Sequence, residues 1–527
     1  MKLAWVIFAL SAVVCTTACL VLFGQHALWT KQSGDEAEQR LKYETFEATL
    51  QEQLFIKNTV QNQLDQQRKS LKEMEGERGK MFREGVPDVR GIGAEGSISH
   101  GAKSCAGLME EICSCRGLER DTRIGHSLSD GENNYLTGRK LSVQKWLLKN
   151  NIPCTLSEVP NIAILGSGGG ERAMVGMLGT LSQMGEQGLL DAALYMSGVS
   201  GSTWCMASLY EKPNWSSDME QIKVVAERLG HGSVSLKDRF SHLMKYFRTN
   251  ANFSLTDVWA ALIVPEIVKK IDTSTLSNYK TYHDEDPYPI FTVINQDCKC
   301  ERLLRERLFE LTPHEVGYTL AGAFVETSSF GSIFNKGVLT ERPELDMAYL
   351  QGLCGSALAD MEVILKTLKE WLKAPHLDKR LLKKETTHFV DAALLDNSPY
   401  MSALRAEREI DLIISFDFSA GNPMETLTET AKECKELGIS FPAINYTKSD
   451  EDFYVFEGEK APTVIHIPLF NVVNCGSELK AYREKYSTFQ GPYSPEMIED
   501  LMKKAGENVL NNKEKLLREI VGIVQQK

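Results

Sequence analysis

The 527-residue chain contains no Cys-x-x-Cys pair although it carries twelve cysteines. Neither close pair, Cys113-Ser-Cys115 nor Cys298-Lys-Cys300, has a histidine partner at zinc spacing, so no metal site is expected. Histidine is sparse, and only His388 and His466 lie late in the chain within apolar runs. Neither context is distinctive, and no imidazole stands out as a general base. A basic excess is also missing: the net charge of −12 argues against a nucleic-acid partner and offers no broad attraction to anionic membranes. The one glycine-rich turn, Gly166-Ser-Gly168-Gly-Gly-Glu171, lacks the sixth-position glycine of the dinucleotide fingerprint, and no well-placed acidic residue closes a second strand about twenty residues on. No cofactor is expected.

What is present is an ordinary globular composition, 43% hydrophobic and 25% charged, long enough for one large domain with appendages. Leu3 to Phe23 carries no charge; at about 1.5 Å per residue it spans about 30 Å, the thickness of a bilayer core. A signal peptide cut after Ala18 is the alternative, and the continuation of the run to Phe23 favours an uncleaved transmembrane signal-anchor over residues 1–24. Residues 25–116 read as a helical stalk and a linker. Counting alternately three and four from Tyr43 gives a seam that is apolar except at Gln53, Lys57 and Gln67, which supports a coiled coil and a homo-oligomer formed through it. A single amphipathic helix is the competing reading. Glu75 to Gly107, with glycines, charges and Val86-Pro87 but no periodicity, reads as the linker.

From about residue 117 onward strands and helices alternate, as in an α/β sheet whose site lies at the strand ends. Ile162-Ala-Ile-Leu165 is a buried-strand run that enters the glycine turn. Backbone N–H groups in such a turn point into one concavity, fit for a phosphate or for the oxyanion of a tetrahedral intermediate. Arg172, just past the glycines, falls near the start of the next helix, where it could fork onto a phosphate or form a surface salt bridge. Ser200 occupies Gly198-Val-Ser200-Gly201-Ser202, after a second apolar run and before a helix-compatible stretch. A serine on such an elbow is held with its hydroxyl projecting, and Gly198 and Gly201 supply the small neighbours it needs. The usual pentapeptide has glycine where Ser202 stands. In His388-Phe-Val-Asp391-Ala-Ala, a carboxylate closes a short apolar run, placed either to take a serine proton directly or to cap a turn.

Gly166-Ser-Gly-Gly-Gly-Glu-Arg172-Ala, Gly198-Val-Ser200-Gly-Ser-Thr-Trp204 and Val390-Asp391-Ala, together with Pro287-Tyr-Pro-Ile-Phe291, Phe324-Val-Glu-Thr327 and Ser415-Phe-Asp-Phe-Ser-Ala420, follow one another in an order that resembles the catalytic domain of the cytosolic (group IV) phospholipase A2 family, and within it the gamma type. The resemblance runs from about Gly117 to the C-terminus, so residues 117–527 are taken as the catalytic domain. It implies a patatin-like, three-layer α/β sheet with a nucleophile elbow. It also implies a Ser/Asp dyad without a catalytic histidine: Ser200 as nucleophile, Asp391 as base, Gly169 and Gly170 as oxyanion hole, and Arg172 on the lipid phosphate. Ala393 departs from the glycine common there and would narrow the site.

Met361 to Lys384 is a basic amphipathic stretch with Trp371 on its apolar face, suited to a membrane surface or to packing as an ordinary surface helix; it falls where the family carries a lid-like insertion. No N-terminal calcium-dependent lipid-binding domain precedes the catalytic region, and Ser449-Asp-Glu-Asp452 reads as a solvated acidic turn, so calcium is expected to be dispensable. The C-terminus lacks the prenylation cysteine that the gamma type can carry. Most cysteines are expected as reduced thiols of a cytosol-facing domain. The sequons at Asn214, Asn252 and Asn445 matter only on the lumenal side, which stays open. The expected activity is calcium-independent hydrolysis of glycerophospholipid acyl esters at a membrane. Lysophospholipase or transacylase activity, or a catalytically weak lipid-binding scaffold, are the alternatives.

Overall fold

In chain order the elements that frame the site are β1 (Thr122–Ile124), α1 (Asp130–Lys149), β2 (Ile162–Gly166), α2 (Glu171–Glu186), β3 (Tyr195–Gly198), α3 (Gly201–Leu209), β4 (Tyr288–Asn295), β5 (Leu308–Leu311), β6 (Glu315–Tyr318), β7 (Ala323–Glu326), the hairpin β8 (Ile333–Asn335) and β9 (Val338–Thr340), α4 (Met347–Cys354), β10 (Phe389–Asp391), β11 (Leu412–Asp417), α5 (Glu425–Leu437), β12 (Tyr454–Phe456), β13 (Thr463–Pro468) and α6 (Pro495–Gln526). The structure, a computed structural model, describes residues 122–249, 254–281, 285–295, 307–335, 338–340, 343–356, 389–394, 396–488 and 492–527. The expected anchor, stalk and linker and the basic stretch Met361 to Lys384 lie outside these residues. Among the described residues no helix is long and apolar enough to cross a membrane.

An eleven-stranded mixed sheet forms the core, in the order β1-β7-β6-β5-β4-β3-β2-β11-β13-β12, with β10 paired to β4. The centre, β4-β3-β2-β11-β13, is parallel. Every residue of β2, β3, β11 and β13 is buried. Because successive side chains on a strand point to opposite faces, both faces of this sheet must be covered, which is the expected layered α/β arrangement. The wing β5-β6-β7-β1 is antiparallel, a feature that the alternation of strands and helices did not foretell. Its strands are short and joined by tight turns such as Thr312–Glu315, where the Thr312 N–H donates to the Glu315 carbonyl at 3.0 Å.

Ser494 caps α6 by accepting from the Met497 N–H, with Pro495 in the first turn where its missing N–H costs nothing. A buried ion network pins the sheet on one side. Glu310 of β5 is fully buried, receives Arg405 at 2.6 Å and Arg408 at 2.8 Å, and Arg408 also reaches Glu132 of α1 at 3.0 Å. Burial alone would raise the Glu310 carboxyl, and the two guanidinium groups outweigh it and hold it below its ordinary value. The expected solvated acidic turn at Ser449–Asp452 is corrected here: Asp452 is buried and accepts from Asn512 of α6 at 2.8 Å, and Asp450 pairs with Arg483 at 3.0 Å. Asp452 ties the loop down, while Asp450 and Glu451 keep contact with solvent. Among the described residues Cys154, Cys205, Cys354, Cys434 and Cys475 carry free thiols.

Candidate active site

Ser200 sits between β3 and α3 with φ 52° and ψ −124°, a backbone conformation that L-residues rarely adopt and that fits a strained strand-to-helix elbow. Only 5% of it is exposed. The Thr203 N–H and hydroxyl both donate to the Ser200 carbonyl, which closes the first turn of α3 under the serine. A Cβ at Gly201 would lie 1.8 Å from the Gly170 carbonyl oxygen, so the elbow and the glycine turn touch directly at a position that admits no side chain. The serine that replaces the usual glycine of the pentapeptide has a use: the Ser202 hydroxyl donates to the Ser167 carbonyl at 2.6 Å and ties the two turns together.

The glycine turn is fixed from three sides. Its Ser167 N–H donates to Phe416 of β11, its Gly168 N–H to the Asn397 carbonyl at 2.8 Å, and the Ser167 hydroxyl accepts from the Phe418 N–H at 2.7 Å. Gly170, with φ 59° and ψ −138°, occupies a region open essentially to glycine alone and turns the chain into α2. The N-termini of α2 and α3 therefore meet beside Ser200, and their unsatisfied N–H groups and dipoles favour negative charge developing there.

Asp391 reaches the same place by an indirect route. On β4, the β3 strand pairs with Tyr288 to Phe291 in parallel, and β10 pairs with Val293 to Asn295 in antiparallel fashion. Since β5 occupies one edge of β4 from Phe291 to Ile294, β3 and β10 share the other edge. Running in opposite directions, they point their C-terminal ends at each other, with Gly198 opposite Phe291 and Asp391 opposite Val293. Two residues of strand separate those positions, about 7 Å. Asp391 is fully buried; its Oδ1 accepts from the Ala393 N–H at 2.8 Å and its own N–H donates to the Ser356 hydroxyl at 2.9 Å.

Gly168 marks the convergence. A Cβ built on it would lie 3.1 Å from the Ser200 Cβ, 2.8 Å from the Ala393 Cβ and 2.5 Å from Asn397 Oδ1. The Ala393 methyl thus fills space that Gly168 leaves open. Among the described histidines, His466 engages the Pro423 carbonyl and Tyr400, His314 faces Tyr288, His242 faces Asp346, His126 faces Glu407 and His231 is exposed. His388 lies outside the described residues.

Arg172 is 2% exposed and is not a surface residue: its Nε donates to the Phe418 carbonyl and its Nη1 to the Tyr486 carbonyl, both at 2.7 Å. Burial lowers its pKa, with Tyr493 and Asp417 opposing that shift. Its Nη2 is the nitrogen beside Gly169, 2.8 Å from where a Cβ there would stand. Four residues escaped the sequence reading. Asn397 holds Gly168 through its carbonyl and donates to Ser419 at 2.6 Å, and Ser419 donates to Asp417 at 2.5 Å. Ser356 holds the Asp391 backbone, and buried Glu171 accepts from the Tyr493 N–H. Asn397 stands in the turn Asp396-Asn-Ser-Pro399, and Glu171 and Ser419 stand within the motifs Gly166–Ala173 and Ser415–Ala420, whereas Ser356 had no local signal.

A family model described as lysophospholipase catalytic domain matches residues 162–401, a span that includes Ser200 and Asp391. Cytosolic phospholipase A2 gamma from Homo sapiens is 31% identical over 509 residues, covering 73% of this chain and 93% of that protein. Cytosolic phospholipase A2 zeta from Homo sapiens is 30% identical over 518 residues, covering 75% of this chain and 61% of that protein. A solved structure of human GIVD cytosolic phospholipase A2 in complex with methyl gamma-linolenyl fluorophosphonate matches with a TM-score of 0.64 at 26% identity, covering 78% of this chain and 66% of that one.

Proposed function

The chain belongs to the cytosolic phospholipase A2 family, lipid-hydrolysing serine hydrolases, and from that membership we propose that it cleaves fatty-acyl esters of glycerophospholipids through Ser200 and Asp391. Asp391 takes the hydroxyl proton as Ser200 Oγ attacks the ester carbonyl, and the N–H groups of Gly169 and Gly170 receive the oxyanion. Collapse of the tetrahedral intermediate expels the lysophospholipid alkoxide, which takes the proton back from Asp391. Water, deprotonated by the same carboxylate, then attacks the acyl-enzyme and frees the fatty acid. Arg172, held by two carbonyls, places the head-group phosphate through Nη2 beside the glycine turn. The dyad, the amides and the arginine supply nucleophile, base and charge stabilisation, so calcium has no part in this scheme. Leu3 to Phe23 is the segment proposed to hold a cytosolic catalytic domain at its substrate membrane, with the stalk joining copies.

One observation carries the reading: β3 and β10 meet end to end on one edge of β4 and bring the Ser200 and Asp391 turns together around Gly168. A fluorophosphonate probe tests it. The wild-type chain should be labelled in calcium chelator as fast as in calcium, Ser200→Ala should not be labelled, and Asp391→Asn should be labelled at least about a thousandfold more slowly. Labelling of Ser200→Ala at the wild-type rate would refute the assignment. A wild-type chain that takes no label would point to a lipid-binding scaffold instead. Because Ser200 and Asp391 are nearly sealed from solvent, a lipid alcohol that reaches the acyl-enzyme before water would give transacylation; acyl transfer to added lysophospholipid measures that share.

A further inference from the structure

The last turn of α4 touches Asp391 itself and the helix that follows Ser200. From the nucleophile side, Trp204 of α3 donates its indole N–H to the Gln351 carbonyl at 2.7 Å, and a Cβ at Gly355 would stand 2.3 Å from the Trp204 ring. Thr203, next to Trp204, binds the Ser200 carbonyl through both N–H and hydroxyl. From the acid side, the Asp391 N–H donates to the Ser356 hydroxyl at 2.9 Å. Gln351, Cys354, Gly355, Ser356 and Trp204 are all buried, so no water competes for these contacts. Neither Ser200 nor Asp391 is near this turn in sequence, and the two sit on strands that share only β4.

We propose that the α4 C-terminal turn is the gauge that sets the separation of Ser200 and Asp391, with Ser356 as the positioning residue for Asp391. The assignment rests on the dyad reading above and deepens it. The Ser356 hydroxyl holds the Asp391 main chain at its N–H, and the Ala393 N–H holds its carboxylate. Without the first, the strand end can rotate, and a reacting carboxylate displaced by a fraction of an ångström to an ångström costs on the order of tenfold to a hundredfold in rate. Ser356 is buried and is assigned no contact with substrate, so KM is expected to stay unchanged.

The test compares Ser356→Thr with Ser356→Val, two variants of nearly equal shape of which one keeps the hydroxyl, and counts active sites by fluorophosphonate titration so that partly folded protein does not enter the rate. The Thr variant should exceed the Val variant in kcat by about tenfold to a hundredfold, with KM for a phospholipid in mixed micelles equal within about twofold. Ser356→Ala, which adds no bulk, is the second route and should lose kcat by the same factor at unchanged KM. Equal kcat for Thr and Val, or an Ala variant at wild-type rate, overturns the gauge while leaving the dyad standing. If Ser200→Ala or Asp391→Asn keeps its activity, the dyad reading itself fails, and this assignment falls with it.

Discussion

Replacing Gly168 by alanine should disable the enzyme without unfolding it, and the structure gives the size of the effect. The new methyl would lie 2.5 Å from Asn397 Oδ1, 2.8 Å from the Ala393 Cβ and 3.1 Å from the Ser200 Cβ, two of them closer than real methyl contacts run. Gly168 does not have a left-handed φ, so the cost is steric and not one of backbone strain. Neither neighbour yields freely: the Asn397 amide is held by Ser419 at 2.6 Å and the Ala393 N–H is bonded to Asp391. Overpacking of a well-filled site costs about 1–3 kcal/mol. Spent on separating Ser200 from Asp391, the upper end slows kcat by about a hundredfold. Ala393→Gly removes the nearer carbon and should restore roughly half of that loss in free energy when combined with Gly168→Ala, a coupling that a double-mutant cycle isolates. The assay is initial hydrolysis of phospholipid in mixed micelles per titrated active site, with a urea midpoint for each variant. A Gly168→Ala enzyme within threefold of wild type, or strict additivity of the two changes, would show that the glycine turn and the Asp391 turn do not press on each other.

Two further expectations concern stability. Burial raises the Glu171 carboxyl to about 7 against the opposing Tyr493 N–H and Lys269; between about pH 4.5 and 7 the folded chain then keeps a proton that the unfolded chain has lost, so stability falls as pH rises through that window, by at most about 3 kcal/mol. Glu171→Gln should flatten this part of the urea-unfolding profile, though Glu433, raised to about 7 by burial and then by Asp396, keeps its own slope in the same window; an unchanged profile would contradict the burial of Glu171. Arg408→Met strands Glu132 in the interior, while Glu310 keeps Arg405, and should lower unfolding free energy by about 3–5 kcal/mol with KM unaltered; a loss under about 1 kcal/mol would mean that the network is solvated.

The turns proposed to carry the chemistry could be located in the chain because their signals are local. A glycine cluster after a continuous apolar run, and a serine between glycines, dictate strand–turn–helix wherever they stand, and β2, α2, β3 and α3 follow. Asp391 was singled out in sequence but not placed by it: what brings it beside the Ser200 turn is its opposition to Val293 on β4, a pairing across distant parts of the chain that no periodicity records. The antiparallel wing was missed for a similar reason, since strands of three and four residues are too short to show alternation. Arg172 was located at the right turn, but its burial was not legible, because the carbonyls that hold it come from Phe418 and Tyr486. Ser356 and Glu171 owe their places to contacts with Asp391 and Tyr493. The acidic turn failed because charge predicts hydration only where no partner waits, and Asn512 waited.

The head-on meeting of β3 and β10 along β4 has an evolutionary corollary. The spacing of the proposed pair is counted in residues of a third strand, not in the length of chain that joins serine to aspartate, so that chain is free to grow, shrink or acquire new modules while the proposed reaction centre stays in register. The tolerance ends at β4 itself. Deleting or inserting a single residue between Phe291 and Val293 would turn one partner onto the opposite face of the sheet, and a lineage that did so would keep its architecture and lose its catalyst in one step.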